Sequence, residues 1–163
     1  MSRIREASLV HEGGLRFTAT TGTHRVIVMG DKVERSSLSP VETIVVCLAA
    51  CSAMDVVGIA LKKRQDLATY VVRVSGTQRV AYPQVFPRID VIHEVEGEDI
   101  SEMAIRRCIE LSALKYCPVN AMLSAGATEV HHRYRIIATE PGQVASEGEV
   151  VVTGPYRRPD VVA

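Results

Sequence analysis

Apolar and polar residues alternate with period two over residues 15–19, 70–74, 89–95 and 130–136, which predicts strands that each turn one face toward a core. A short apolar run at 26–29 follows Thr21-Gly22-Thr23, a turn signal that joins it to the first of these strands as a hairpin. Residues 39–64, SPVETIVVCLAACSAMDVVGIALKKR, show no such alternation. They are apolar or small on nearly every side of a helical wheel, so they predict one long helix. Ser39 and Glu42 have the spacing of a capping box, and Pro40 stands at the first helical position. Lys62, Lys63 and Arg64 complement the negative pole at the far end. Exposing this helix would leave apolar area in water at about 25 cal/mol per Å², so it is expected to be covered all round. Ala49, Ala50, Ser52, Ala53 and Gly58 would let a second copy of the helix approach closely.

The other elements follow from the same patterns. Residues 70–74 and 89–95 read as two antiparallel strands separated by Pro83 and Pro87. Asp99 or Ser101 can cap a second helix reaching Tyr116, with Ile100, Ala104, Cys108 and Leu111 on one face. Pro118 begins a short helical segment over 119–124 that Gly126 ends. The order is that of an α+β protein with antiparallel sheets packed around a long buried central helix. Residues 1–138 form the expected single domain. Residues 139–163 read as a C-terminal tail whose run at 149–152 can add one edge strand. Removing that tail is expected to leave the protein folded.

Composition narrows the function. The chain has 163 residues, 47% hydrophobic and 23% charged, enough for a packed core and unlike a disordered chain. Its 19 basic and 19 acidic residues cancel, which argues against a nucleic-acid or anionic-lipid partner. Asp55 near the middle of the long helix argues against a membrane span, and MSRIREASLV has no apolar signal core. A cytoplasmic location is expected, where four cysteines are free, catalytic or metal-bound.

Cys47, Cys51 and Asp55 lie one helical turn apart on one face. Burial and Asp55 should both raise the Cys51 pKa unless a cation lies near. Cys117 precedes Pro118 and can cap the next helix, where the dipole would lower its pKa. For Cys51 and Cys117, an inert small residue stands beside the reactive reading. Cys47 and Cys108 fall on apolar faces and are expected in the core. A soft metal held by Cys47 and Cys51 with Cys108, Cys117 or His132 is a minor alternative, because no C-x-x-C spacing is present. No resident metal or cofactor is therefore expected. His11, His24, His93, His131 and His132 show no ordered catalytic spacing and are expected to be exposed strand or loop residues.

Ser39-Pro40-x-Glu42 running into Ala49-Ala50-Cys51, with Lys115-Tyr116-Cys117-Pro118 far downstream, resembles the OsmC/Ohr family of thiol-dependent peroxidases over residues 15–136. The resemblance implies an intertwined homodimer with the long helices at its centre. It implies that Cys51 attacks an organic hydroperoxide, that Cys117 resolves the sulfenic acid as a disulfide, and that an external dithiol supplies electrons. Two departures bear on this. The Glu usual directly after the motif proline is replaced by Val41, and Glu42, one residue on, suits a capping role better than a catalytic one. The family's activating arginine would be Arg25 or Arg16. The alternative reading is a non-catalytic protein that binds a small apolar or thiol-reactive ligand in the same interface pocket.

Overall fold

The structure, a computed structural model, describes residues 4–22, 26–30, 37–138 and 143–154. The chain divides into two units, Met1–Ile44 and Val45–Ala163.

In the first unit the predicted hairpin is present as β2 (Arg16–Thr21) and β3 (Val26–Met29), paired antiparallel from Phe17↔Met29 to Thr20↔Val26. A strand that the pattern did not announce, β1 (Ala7–Gly13), extends this sheet on the other side of β2. Its residues are exposed on both faces, so the sequence carries no alternating signal there. The β1–β2 turn uses Gly13 at φ 119° and Gly14 at φ 56°, backbone that a side chain would strain.

Helix α1 (Pro40–Lys62) begins at the end of this unit. Its start is the reciprocal box expected: the Ser39 N–H donates to Glu42 Oε2 at 2.8 Å, and the Glu42 N–H donates to Ser39 Oγ at 3.2 Å. The expectation of cover on every side is not met within one chain. Leu48, Ser52, Val56 and Ala60 form the buried stripe, whereas Val46, Met54 and Leu61 are 50%, 78% and 64% exposed. By length and composition alone α1 could also cross a membrane, with a mean hydropathy of 2.4.

The second unit holds a four-stranded sheet in the order β4-β5-β6-β7, formed by β4 (Thr69–Thr77), β5 (Arg88–Glu96), β6 (Glu129–Ile137) and β7 (Val144–Thr153). β4 pairs antiparallel with β5 and β6 with β7, but β5 and β6 run parallel, so the sheet is mixed. The parallel pair needs a long crossover, and it is made by α2 (Glu102–Leu111) and α3 (Pro118–Ser124). The helix expected to reach Tyr116 stops at Leu111 and continues as a π-helical turn, Ser112–Tyr116. Strand β7 is longer than the run at 149–152 and is an edge of this sheet.

The core lies between sheet and helices. Val56 and Ala60 of α1 meet Val95 of β5, Tyr134 and Ile136 of β6, and Ile105, Cys108 and Ile109 of α2. Toward the start of α1, Leu48 joins Ile89, Val91, Val130 and Cys117 in a second cluster, with Cys51 against it.

Candidate active site

The two cysteines singled out by sequence meet. The Sγ atoms of Cys51 and Cys117 and a carboxylate oxygen of Asp55 all lie within 4.8 Å of one another. Cys51 and Asp55 are half-buried and one turn apart on α1, and Cys117 is 2% exposed at the junction between the π-helical turn and α3. Cys117 is the N-cap of α3, and its sulfur accepts from the Asn120 N–H at 3.3 Å. Its backbone N–H donates to Ser112 O at 2.9 Å, closing the π-helical turn. The Ser112 hydroxyl donates to Asp55 Oδ2 at 3.1 Å. One turn of chain thus fixes both the carboxylate's partner and the second thiol.

The electrostatics differ from expectation at Cys117. Burial, with the neighbouring Cys51 thiol adding to it, pushes its pKa up to about 12, and the Asn120 N–H recovers only part of this. Desolvation outweighs a helix of seven residues. Burial also raises the Asp55 carboxyl above its ordinary range, against the Ser112 hydrogen bond. The Ser52 hydroxyl is fully buried and, among the described residues, has no hydrogen-bond partner of ordinary geometry.

Behind Cys117 runs a buried polar chain that sequence reasoning missed. Tyr70 Oη lies 2.6 Å from His93 Nδ1, His93 Nε2 lies 3.4 Å from His132 Nδ1, and His132 Nε2 lies 3.0 Å from Asn120 Oδ1. The Asn120 amide NH₂ donates to Ala113 O at 2.8 Å, so its oxygen faces His132. That fixes the direction: His132 donates to Asn120, His93 to His132, and Tyr70 to His93. Both imidazoles are fully buried, and burial lowers their pKa values to about 3 for His93 and about 4 for His132, so both are neutral. The expectation that they are exposed is therefore overturned. The available signal was parity, since His93 is in phase with Ile89, Val91 and Val95, and His132 with Val130, Tyr134 and Ile136. His131 is also nearly buried and bonds Glu149 at 3.1 Å, whereas His11 is exposed and His24 lies outside the described residues.

Cys108 is buried as expected, but Cys47 is exposed, because it sits off the Leu48–Ser52–Val56 stripe that faces the sheet. Neither Cys47, Cys108 nor His132 belongs to the Cys51–Asp55–Cys117 group, which is the set of metal-capable side chains that comes together among the described residues. Glu42 is the helix cap. Arg25 lies outside the described residues, and Arg16 is an exposed residue of β2. Beside Asp55 an open cavity of about 390 Å³ is walled by Met54, Ile59, Leu111 and Tyr116, with Lys62 at its rim.

Comparison with known proteins gives a consistent picture. Residues 32–133 match the family described as OsmC-like protein. Protein YhfA of Escherichia coli K12 is 33% identical over 126 residues, covering 77% of this chain and 92% of its own length. The crystal structure of an OsmC-like protein from Mycoplasma pneumoniae superposes with a TM-score of 0.74 at 17% identity, covering 85% of this chain and all of that one (100%). The organic hydroperoxide resistance protein OhrB of Bacillus subtilis superposes with a TM-score of 0.55 at 14% identity, covering 81% and 98% of the two chains.

Proposed function

The chain belongs to the OsmC-like family, and on that premise we propose that it is a thiol-dependent peroxidase that reduces organic hydroperoxides. The observation that carries this reading is the approach of the Cys51 and Cys117 sulfurs within 4.8 Å, one half-buried and the other wholly enclosed. Such a pair suits a division of labour. The Cys51 thiolate attacks the terminal peroxide oxygen, the O–O bond breaks, the alkoxide leaves and takes a proton from water to become the alcohol, and Cys51 becomes a sulfenic acid. The Cys117 sulfur then displaces hydroxide as water and a disulfide forms. A dithiol reductant restores both thiols, and no resident metal or cofactor takes part. The name of the B. subtilis relative, organic hydroperoxide resistance protein, agrees with this chemistry.

The working form is a cytoplasmic homodimer. The exposed apolar positions Val46, Met54 and Leu61 of α1 support a covering partner, with more than about 1,600 Å² buried in all. Arg25, or failing it Arg16, is the cation that would hold Cys51 as thiolate.

The test is a thiol count before and after one equivalent of cumene hydroperoxide. Wild type is expected to lose two thiols, Cys117→Ser to hold a sulfenic acid trappable on Cys51, and Cys51→Ser to consume no peroxide. Consumption by Cys51→Ser at the wild-type rate would overturn the assignment. The apolar cavity of about 390 Å³ beside Asp55 favours one second reading, a non-catalytic binder of a small apolar or thiol-reactive ligand. Ligand binding with no hydroperoxide turnover would support it.

A further inference from the structure

We infer that Asp55 carries the proton of the resolving step: its carboxylate takes the proton from the Cys117 thiol as that sulfur attacks Cys51, and passes it to the departing oxygen. This rests on the peroxidase reading for its biological setting, but the Cys117 deprotonation it describes is testable without any peroxide.

Three observations converge. An Asp55 carboxylate oxygen lies within 4.8 Å of both sulfurs, a separation that one bridging water spans, so one group serves both the proton to be lost and the sulfur that carries the leaving hydroxyl. The carboxylate is held on one side by the Ser112 hydroxyl at 3.1 Å, which orients it. Ser112 in turn receives the Cys117 backbone N–H at 2.9 Å, so base and thiol are registered to each other through a π-helical turn, a distortion frequent at functional sites.

The chemistry needs such a group. Cys117 is enclosed, its pKa is raised to about 12, and the thiol is almost wholly protonated at neutral pH. A half-buried carboxyl whose pKa is raised by desolvation is a stronger base than one in water, and so a better acceptor for the thiol proton. The balance closes: Cys51 S–OH and Cys117 S–H give one S–S bond and one water. The S–O bond breaks, the thiol proton travels through Asp55 to the departing oxygen, and Asp55 ends as the carboxylate it began as.

The experiment uses full-length protein carrying Cys47→Ser, so that the exposed Cys47 is not labelled. Cys51 is converted by Ellman's reagent to its mixed disulfide with thionitrobenzoate, and the Cys117 attack is followed by release of that chromophore. Asp55→Asn, which keeps the shape and the Ser112 hydrogen bond, is expected to slow this release about 100-fold. Asp55→Glu should recover most of the rate. In wild type the rate should rise with pH as Asp55 ionises, and in Asp55→Asn that limb should vanish. The other titratable groups facing the site are Cys51, Cys117, and the Lys62 and Tyr116 of the adjoining cavity. A wild-type rate and pH profile in Asp55→Asn, or slowing that Asp55→Glu does not rescue, overturns the inference. A wild-type protein that closes the disulfide through Asp55 but consumes no hydroperoxide overturns the peroxidase reading and leaves this one standing.

Discussion

His93 and His132 stack with ring centroids 5.7 Å apart and facing nitrogens 3.4 Å apart, wholly inside the sheet and diagonal to each other across the parallel β5–β6 ladder. Their pKa values, about 3 and about 4 against an ordinary 6.5, make the pair an acid-sensitive part of the core. Between those values and 6.5 the unfolded chain binds protons that the folded chain refuses. Stability therefore stands in full above pH 6.5 and falls as the pH drops toward 4. The slope is up to about 1.4 kcal/mol per pH unit for each histidine. Urea midpoints should drop between pH 7 and pH 5 in wild type and drop less in His93→Phe. An equal drop in the variant would assign the acid sensitivity elsewhere.

Asn120 ties this pair to the site, since it accepts from His132, donates to Ala113 O and Thr153 Oγ1, and lends its backbone N–H to Cys117. Asn120→Ala should cost about 2 to 4 kcal/mol, because it strands the His132 N–H and the Ala113 carbonyl in the core. Denaturant melts read this directly. Loss of less than about 1 kcal/mol would mean that a water or a repacked side chain takes the place of the amide.

Strand β7 makes residues 144–153, beyond Ala138, part of the fold. It pairs with β6 from Val130↔Thr153 to Ile137↔Val144, buries Val152, and places Thr153 on Asn120. The expectation that the tail is dispensable is therefore replaced by its opposite. Truncation after Ala138 should lower stability by about 3 kcal/mol or more and broaden the thermal transition. A truncated protein that melts like the full chain would contradict this.

At the start of α1, Ser39→Ala should lose about 1 kcal/mol of stability. Glu42→Gln keeps an acceptor for the Ser39 N–H, so it should lose less and leave hydroperoxide consumption unchanged. Abolished turnover in Glu42→Gln would move Glu42 from capping to chemistry.

Much of this was legible in residue patterns. Elements with a buried face announced themselves: the period-two runs became β2, β4, β5 and β6, and Ser39 with Glu42 marked the first turn of α1. Cys51 and Cys117 were found because a motif and a proline constrain them. What escaped depends on neighbours that are distant in sequence. β1 is exposed on both faces, so nothing periodic marks it. The parallel run of β5 and β6 depends on the crossover rather than on either strand's residues. By sequence Cys117 stands at a helix pole that would ease its ionisation, but its enclosure raises its pKa, and desolvation is set by what folds over it. Asn120 is one polar residue in a seven-residue helix, and only the meeting of His132, Ala113 and Thr153 around it gives it meaning.

The parallel ladder has a consequence for how the molecule is made. Arg88 must find Glu129 before β5 and β6 can zip, and everything between them, including the π-helical turn and Cys117, is the loop being closed. The entropy of that closure falls due before the ladder returns any stabilisation, which makes it a late event for a growing or refolding chain. Until then Cys51 sits on a helix that local contacts can form, while Cys117 is a solvated thiol on an open segment. The approach of the two sulfurs is thus a product of completed folding, and an unfinished chain carries four independent cysteines.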